Sequence, residues 1–131
     1  MLRRSLWASI LCFIGGSAFA DEALERAAMD AVAHGLRDPG SAIFRNVETV
    51  VYQRPKGGHT AYVCGEVNAK NAYGGYVGFR LFYVAETKGG LVADIEPRER
   101  EDAAVFSMMY DTLCRGVGTT GRAVRLGHAS I

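Results

Sequence analysis

The sequence predicts an α+β domain: a four-stranded antiparallel meander with an N-terminal and a C-terminal helix, closed by one disulfide. Three observations carry that expectation. Apolar residues recur at helical spacing over 22–36 and 100–115, whereas the period changes to two between Asn46 and Ile95. The connections between the period-two runs are short and rich in glycine, which makes neighbouring strands antiparallel. Two cysteines, Cys64 and Cys114, lie outside an N-terminal stretch that reads as an export signal. The chain is organised around residues 62–84, two β-like runs joined by a polar loop.

At 131 residues the chain has room for one modest core. Residues 1–20 read as a signal peptide. Arg3 and Arg4 form a basic start, an apolar run follows over 6–14, and Ala18-Phe19-Ala20 supplies small residues where a signal peptidase cleaves. Bulky Ile10 and Leu11 before Cys12 make a lipoprotein signal the poorer reading. The expected division is signal peptide 1–20, a single α+β domain 21–116 and a flexible basic tail 117–131. Cleavage after Ala20 gives a periplasmic or secreted protein with no membrane span. It takes Lys+Arg from 15 to 13 against 14 Asp+Glu, a net charge of −1. That balance provides no global field for nucleic acid, which argues against nucleic-acid binding. In an oxidising compartment the two remaining cysteines read as a disulfide, with two buried thiols as the alternative.

Along the chain, Leu24, Ala28, Ala31, Val32 and Leu36 mark the apolar stripe of the first helix, which Asp38-Pro39-Gly40 ends. Ile43 and Phe44 follow as an apolar plug in a turn. The strands are expected at 47–52, 61–68, 76–85 and 91–95. The second helix carries Ala103, Phe106, Met109, Tyr110 and Leu113 on one stripe, and Gly116 stops it.

Centring the hairpins near Gly57, Tyr73 and Lys88 pairs Val51 with Val63, Val67 with Phe79 and Tyr83 with Ala93. Odd-numbered residues, among them Val63, Val67, Phe79, Leu81, Tyr83 and Ile95, then form one apolar face. The even face carries Tyr62, Cys64, Phe82, Val84 and Val92, with Glu66, Asn68 and Arg80 toward the 71–75 loop. In that register Glu66 faces Arg80. A Cys64–Cys114 bond would draw the second helix to the even face or a sheet edge, leaving the odd face to the first helix and Phe44.

The chemistry-bearing residue types are sparse. His34, His59 and His128 have no partners at metal-ligand spacing, and CxxC pairs and Gly-x-Ser-x-Gly are absent. Gly74-Gly75-Tyr76-Val77-Gly78 lacks the Gly-Lys-Ser/Thr of a phosphate loop. No cofactor or metal is expected. The sharpest constellation is Glu66 with Arg80, flanked by Asn68, Lys70, Asn71 and Tyr73. It reads either as the charged floor of a binding site or as a cross-strand ion pair with asparagines shaping the turn. The second carries more weight and is worth roughly a few tenths of a kcal/mol. Tyr73 stands apart, because a loop tip has no core to enter.

Two segments carry a resemblance. Asp38-Pro39-Gly40-Ser41-Ala42-Ile43-Phe44-Arg45-Asn46-Val47 and the run from Val63-Cys64-Gly65-Glu66-Val67-Asn68-Ala69-Lys70-Asn71 to Gly74-Gly75-Tyr76-Val77-Gly78-Phe79 resemble small exported proteobacterial proteins. Their pattern is D-P-x-S-A-x-F-R-N-V, then V-C-G-x-V-N-A-K-N-x-x-G-G-Y-x-G-F. The resemblance implies a bacterial envelope setting and brings no activity with it. Asn, Lys and Tyr side chains on a rigid hairpin set the expected function, a binding or accessory role toward another envelope protein, such as modulation of an envelope enzyme, through the loop end of the sheet. The alternatives are a small hydrolase or ligand carrier using Glu66, and a purely structural envelope component.

Overall fold

The computed structural model describes residues 17–118 and 123–126. The chain runs α1 (Ser17–His34), a 3₁₀ turn (Pro39–Ser41), β1 (Ile43–Gln53), β2 (His59–Asn68), β3 (Arg80–Thr87), β4 (Gly90–Ile95), α2 (Arg100–Arg115) and β5 (Ala123–Leu126). The α+β meander between two helices is the architecture expected. The sheet is fully antiparallel, in the order β4-β3-β2-β1-β5. The fifth strand lies within 117–131, the segment read as a flexible tail. It pairs with β1 from Thr49↔Leu126 to Tyr52↔Ala123 and so turns β1 from an edge into an inner strand. The rest of that tail from residue 119 lies outside the described residues, as do residues 1–16 of the expected signal peptide.

The helices lie on opposite faces. On one face Ala28 and Val32 of α1 are fully buried against Val63, Val67, Phe82 and Val84, with Leu24, Leu36, Phe44 and Ile95 around them. The i, i+4 ladder 24-28-32-36 is the stripe legible in the sequence. Helical structure ends at His34, and the Gly35 and Leu36 amides tighten onto Val32 O and Ala33 O. On the other face Cys64 and Val50 meet Cys114, bordered by Tyr52, Tyr62, Tyr83, Tyr110 and Leu113. The Cys64–Cys114 disulfide fixes α2 there, over the face that Cys64 occupies. Phe106 is buried and stacks on Tyr83 at 5.5 Å. Met109 is more than a third exposed and lies off the core stripe expected for it. Gly116 ends α2 in the left-handed region (φ 73°), with Val117 N–H on Asp111 O.

The strand register departs from the expectation. Cys64 pairs with Tyr83, Val67 with Arg80, and Val84 with Ala93. Both later hairpins are therefore shifted by one residue. The even residues of β3, Phe82 and Val84, join the odd residues of β2 and β4 on the α1 face, while Leu81 and Tyr83 face the other way. β3 begins at Arg80 and not at residue 76, because residues 69–79 are spent on a longer loop. β1 begins earlier than expected, at Ile43, and takes Phe44 into the sheet. It pairs Thr49 with Val63, two residues from the expected match.

A bulge reconciles the two halves of β1. Arg45 pairs with Glu66 and Glu48 with Cys64, so Asn46 and Val47 together oppose Gly65. Asn46 sits at φ 52°, a conformation asparagine tolerates better than most residues. The extra residue lets Phe44, Val47 and Thr49 all face α1. Thr49 is fully buried there and donates its hydroxyl to the buried Glu25 carboxylate at 3.1 Å.

Candidate functional site

The loop between β2 and β3 is held by its own polar side chains. Asn71 Oδ1 accepts from the amides of Tyr73 (2.9 Å) and Gly75 (3.1 Å), and Gly74 takes the positive φ of 80° that the turn needs. Asn68 Oδ1 accepts from Gly78 N–H at 3.1 Å. Ser41 pins the loop to the 3₁₀ turn: its Oγ accepts from Lys70 N–H at 2.9 Å, and its carbonyl accepts from the Tyr76 hydroxyl at 3.0 Å. Lys70 Nζ lies 5.7 Å from the Tyr76 ring centroid. The asparagines thus shape the loop, as one of the two sequence readings required.

Glu66 does not pair with Arg80. The one-residue shift sets Glu66 opposite Leu81, so Glu66 and Arg80 point to opposite faces of the sheet. Glu66 instead takes a bidentate contact from Arg45, with Nε–Oε2 at 3.1 Å and Nη2–Oε1 at 3.0 Å, and a third hydrogen bond from Asn46 Nδ2 at 2.7 Å. The Arg45 guanidinium lies 3.7 Å over the Phe79 ring. The Arg45 bond, and then that from Asn46, hold the Glu66 carboxyl below its ordinary 4.5, with burial opposing. A carboxylate held charged and bonded on both oxygens is poorly suited to serve as a general acid.

Arg80 lies on the α1 face beside a cleft of about 520 Å³. The cleft is walled by Gly35–Arg37 after α1, by residues 69–73 and 77–78 of the loop, by Val67 and Arg80 of the sheet, and by Arg98 after β4. Leu36, Val67 and Val77 supply the apolar part of its lining, and four cations, Arg37, Lys70, Arg80 and Arg98, line it as well. No carboxylate lines it, and among the described residues none of the four forms an ion pair. Arg80 Nη1 donates to the Glu96 carbonyl at 3.0 Å. Burial lowers the pKa of the Arg80 guanidinium, the neighbouring Arg98 charge adds to that, and Glu96 opposes it. Tyr73 stands at the rim, 96% exposed.

Of the six residues singled out from sequence, Lys70, Asn71, Tyr73 and Arg80 converge on this cleft. Asn68 supports the loop behind it, and Glu66 lies on the far side of the sheet. Arg37 and Arg98 were not anticipated. They come from the segments just before β1 and just after β4, and their meeting depends on the order in which β1–β4 pair. Among the described residues no group of three or more His, Cys, Asp or Glu could hold a metal ion. No helix among them is long and apolar enough to cross a membrane. No protein family, curated protein or solved structure matches the chain.

Proposed function

We propose that this chain is an exported binding protein of the bacterial envelope, accessory to another envelope protein, acting through the loop end of its sheet. One observation carries the reading: a loop hydrogen-bonded into a fixed shape presents a fully exposed Tyr73 at the rim of a cleft. Rigid loops that display an unpartnered aromatic are suited to recognition, because little conformational entropy remains to be lost on binding. The Cys64–Cys114 bond fits an oxidising compartment, which supports export. The described core contacts of α1 begin at Leu24, so cleavage after Ala20 would leave its packing face intact.

Two measurements test this. N-terminal sequencing of protein recovered from the periplasmic fraction is expected to begin at Asp21. Affinity capture from periplasmic extract is expected to retain a protein on the wild type that Tyr73→Ala and Arg98→Glu lose. Retention of the same set by all three baits contradicts the assigned surface.

A further inference from the structure

We infer that the loop-end cleft is a receptor for a small polyvalent oxyanion, a ligand carrying two or more phosphate or carboxylate charges. The inference rests on the cleft being the protein's binding site and adds the chemistry of what enters it. Arg37, Lys70, Arg80 and Arg98 converge from four separate segments, the α1 exit, the β2–β3 loop, β3 and the β4–α2 connection, on one concavity of about 520 Å³. That volume lies in the range of small-ligand sites. In a chain whose charge is nearly balanced overall, the lining of this cleft gathers four cations and no carboxylate.

Such a cluster opposes itself. Arg80 is half-buried, already partly desolvated, and near enough to Arg98 to feel its charge. The nearest compensation is incomplete. Glu96 Oε2 is engaged by Leu81 N–H at 3.1 Å, and the carbonyl end of α1 contributes only partial charge. A multiply charged oxyanion between the arginines would relieve both the repulsion and the desolvation. Guanidinium groups are suited to it, because their planar donor forks match carboxylate and phosphate oxygens. The loop adds NH₂ and hydroxyl donors through Asn71 and Tyr73, and the apolar lining residues Leu36, Val67 and Val77 can meet a carbon skeleton.

Isothermal titration of the purified protein with inorganic pyrophosphate, citrate and acetate tests this. Saturable one-to-one binding is expected for at least one of the two polyvalent anions and none for acetate. The tighter of pyrophosphate and citrate assigns the ligand as phosphate or carboxylate. Arg37→Gln and Arg98→Gln change exposed side chains and leave the fold intact. Each should weaken binding by about tenfold. Lys88→Gln, in the hairpin at the opposite end of the sheet, should bind as wild type. Absence of saturable binding by both polyvalent anions, or binding that the two arginine variants leave unchanged, overturns the inference. Partner capture that still depends on Tyr73 in the absence of anion binding would remove the ligand class and leave the binding surface standing. Anion binding without partner capture would do the reverse.

Discussion

Arg45 and Glu66 face each other across the β1–β2 ladder, guanidinium to carboxylate at 3.0 Å, with the Phe79 ring stacked on the guanidinium. The ion pair joins β1 to β2, and the ring contact adds Phe79, the residue just before β3. Together they brace the loop end of the sheet from the face opposite the cleft.

The first prediction concerns acid. The fold holds Glu66 below its ordinary 4.5, so the charged form is favoured in the native state. Its contribution to stability is present above pH 4.5 and is lost as pH falls through the lower native value. Urea unfolding at neutral pH should find Glu66→Gln less stable than the wild type. The gap should close progressively below pH 4.5. Parallel curves would mean that the contact contributes nothing.

The disulfide bears on α2. Joining residues 50 apart in sequence removes enough unfolded-state entropy to stabilise the fold by about 4 kcal/mol in the chain-entropy model. The Cys64→Ala/Cys114→Ala double variant should lose stability of that order in urea. Hydrogen exchange should show α2 losing protection before the sheet, since the bond is its anchor on that face.

Gly65 is a packing constraint. A Cβ there would meet Phe82 Cζ at 2.9 Å and Val47 Cα at 3.2 Å, one a core ring and the other bulge backbone. Neither can withdraw freely. Gly65→Ala should therefore destabilise by about 1–3 kcal/mol. Gly89→Ala, where the nearest atom is Thr87 Oγ1 at 3.8 Å, should stay within about 0.5 kcal/mol of wild type in the same thermal melt.

Asn71 is predicted to act as scaffold. Asn71→Ala removes the acceptor for two loop amides and should cost about 1 kcal/mol. Hydrogen exchange at Tyr73 and Gly75 should accelerate. Asn71→Asp keeps the acceptor oxygen and should preserve that protection, while its added negative charge should weaken anion binding in the cleft.

Much of the fold could be read from the residues. The 24-28-32-36 ladder, the Phe106 stripe and the pair of cysteines were enough to expect two helices and one disulfide, while the sheet face that each helix covers stayed open. The register of β3 was not legible. Helices cover the sheet on both faces, so both alternate sets, Leu81 with Tyr83 and Phe82 with Val84, are apolar and period two cannot choose between them. The β1 bulge was hidden for a related reason: it depends on Asn46 adopting a positive φ, which no apolar pattern encodes. These two features together sent Arg80 to the cleft and Glu66 to Arg45. Arg37 and Arg98 could not be joined to Lys70 and Arg80 until the sheet order was known.

The most direct measurement is an amide chemical-shift map of the ¹⁵N-labelled protein during titration with pyrophosphate. The account predicts saturable shifts confined to residues 35–37, 67–73, 77–80 and 96–98, on the α1 face of the loop end. Shifts centred on Arg45, Glu66 and Phe79, or scattered over the surface without saturation, would contradict it.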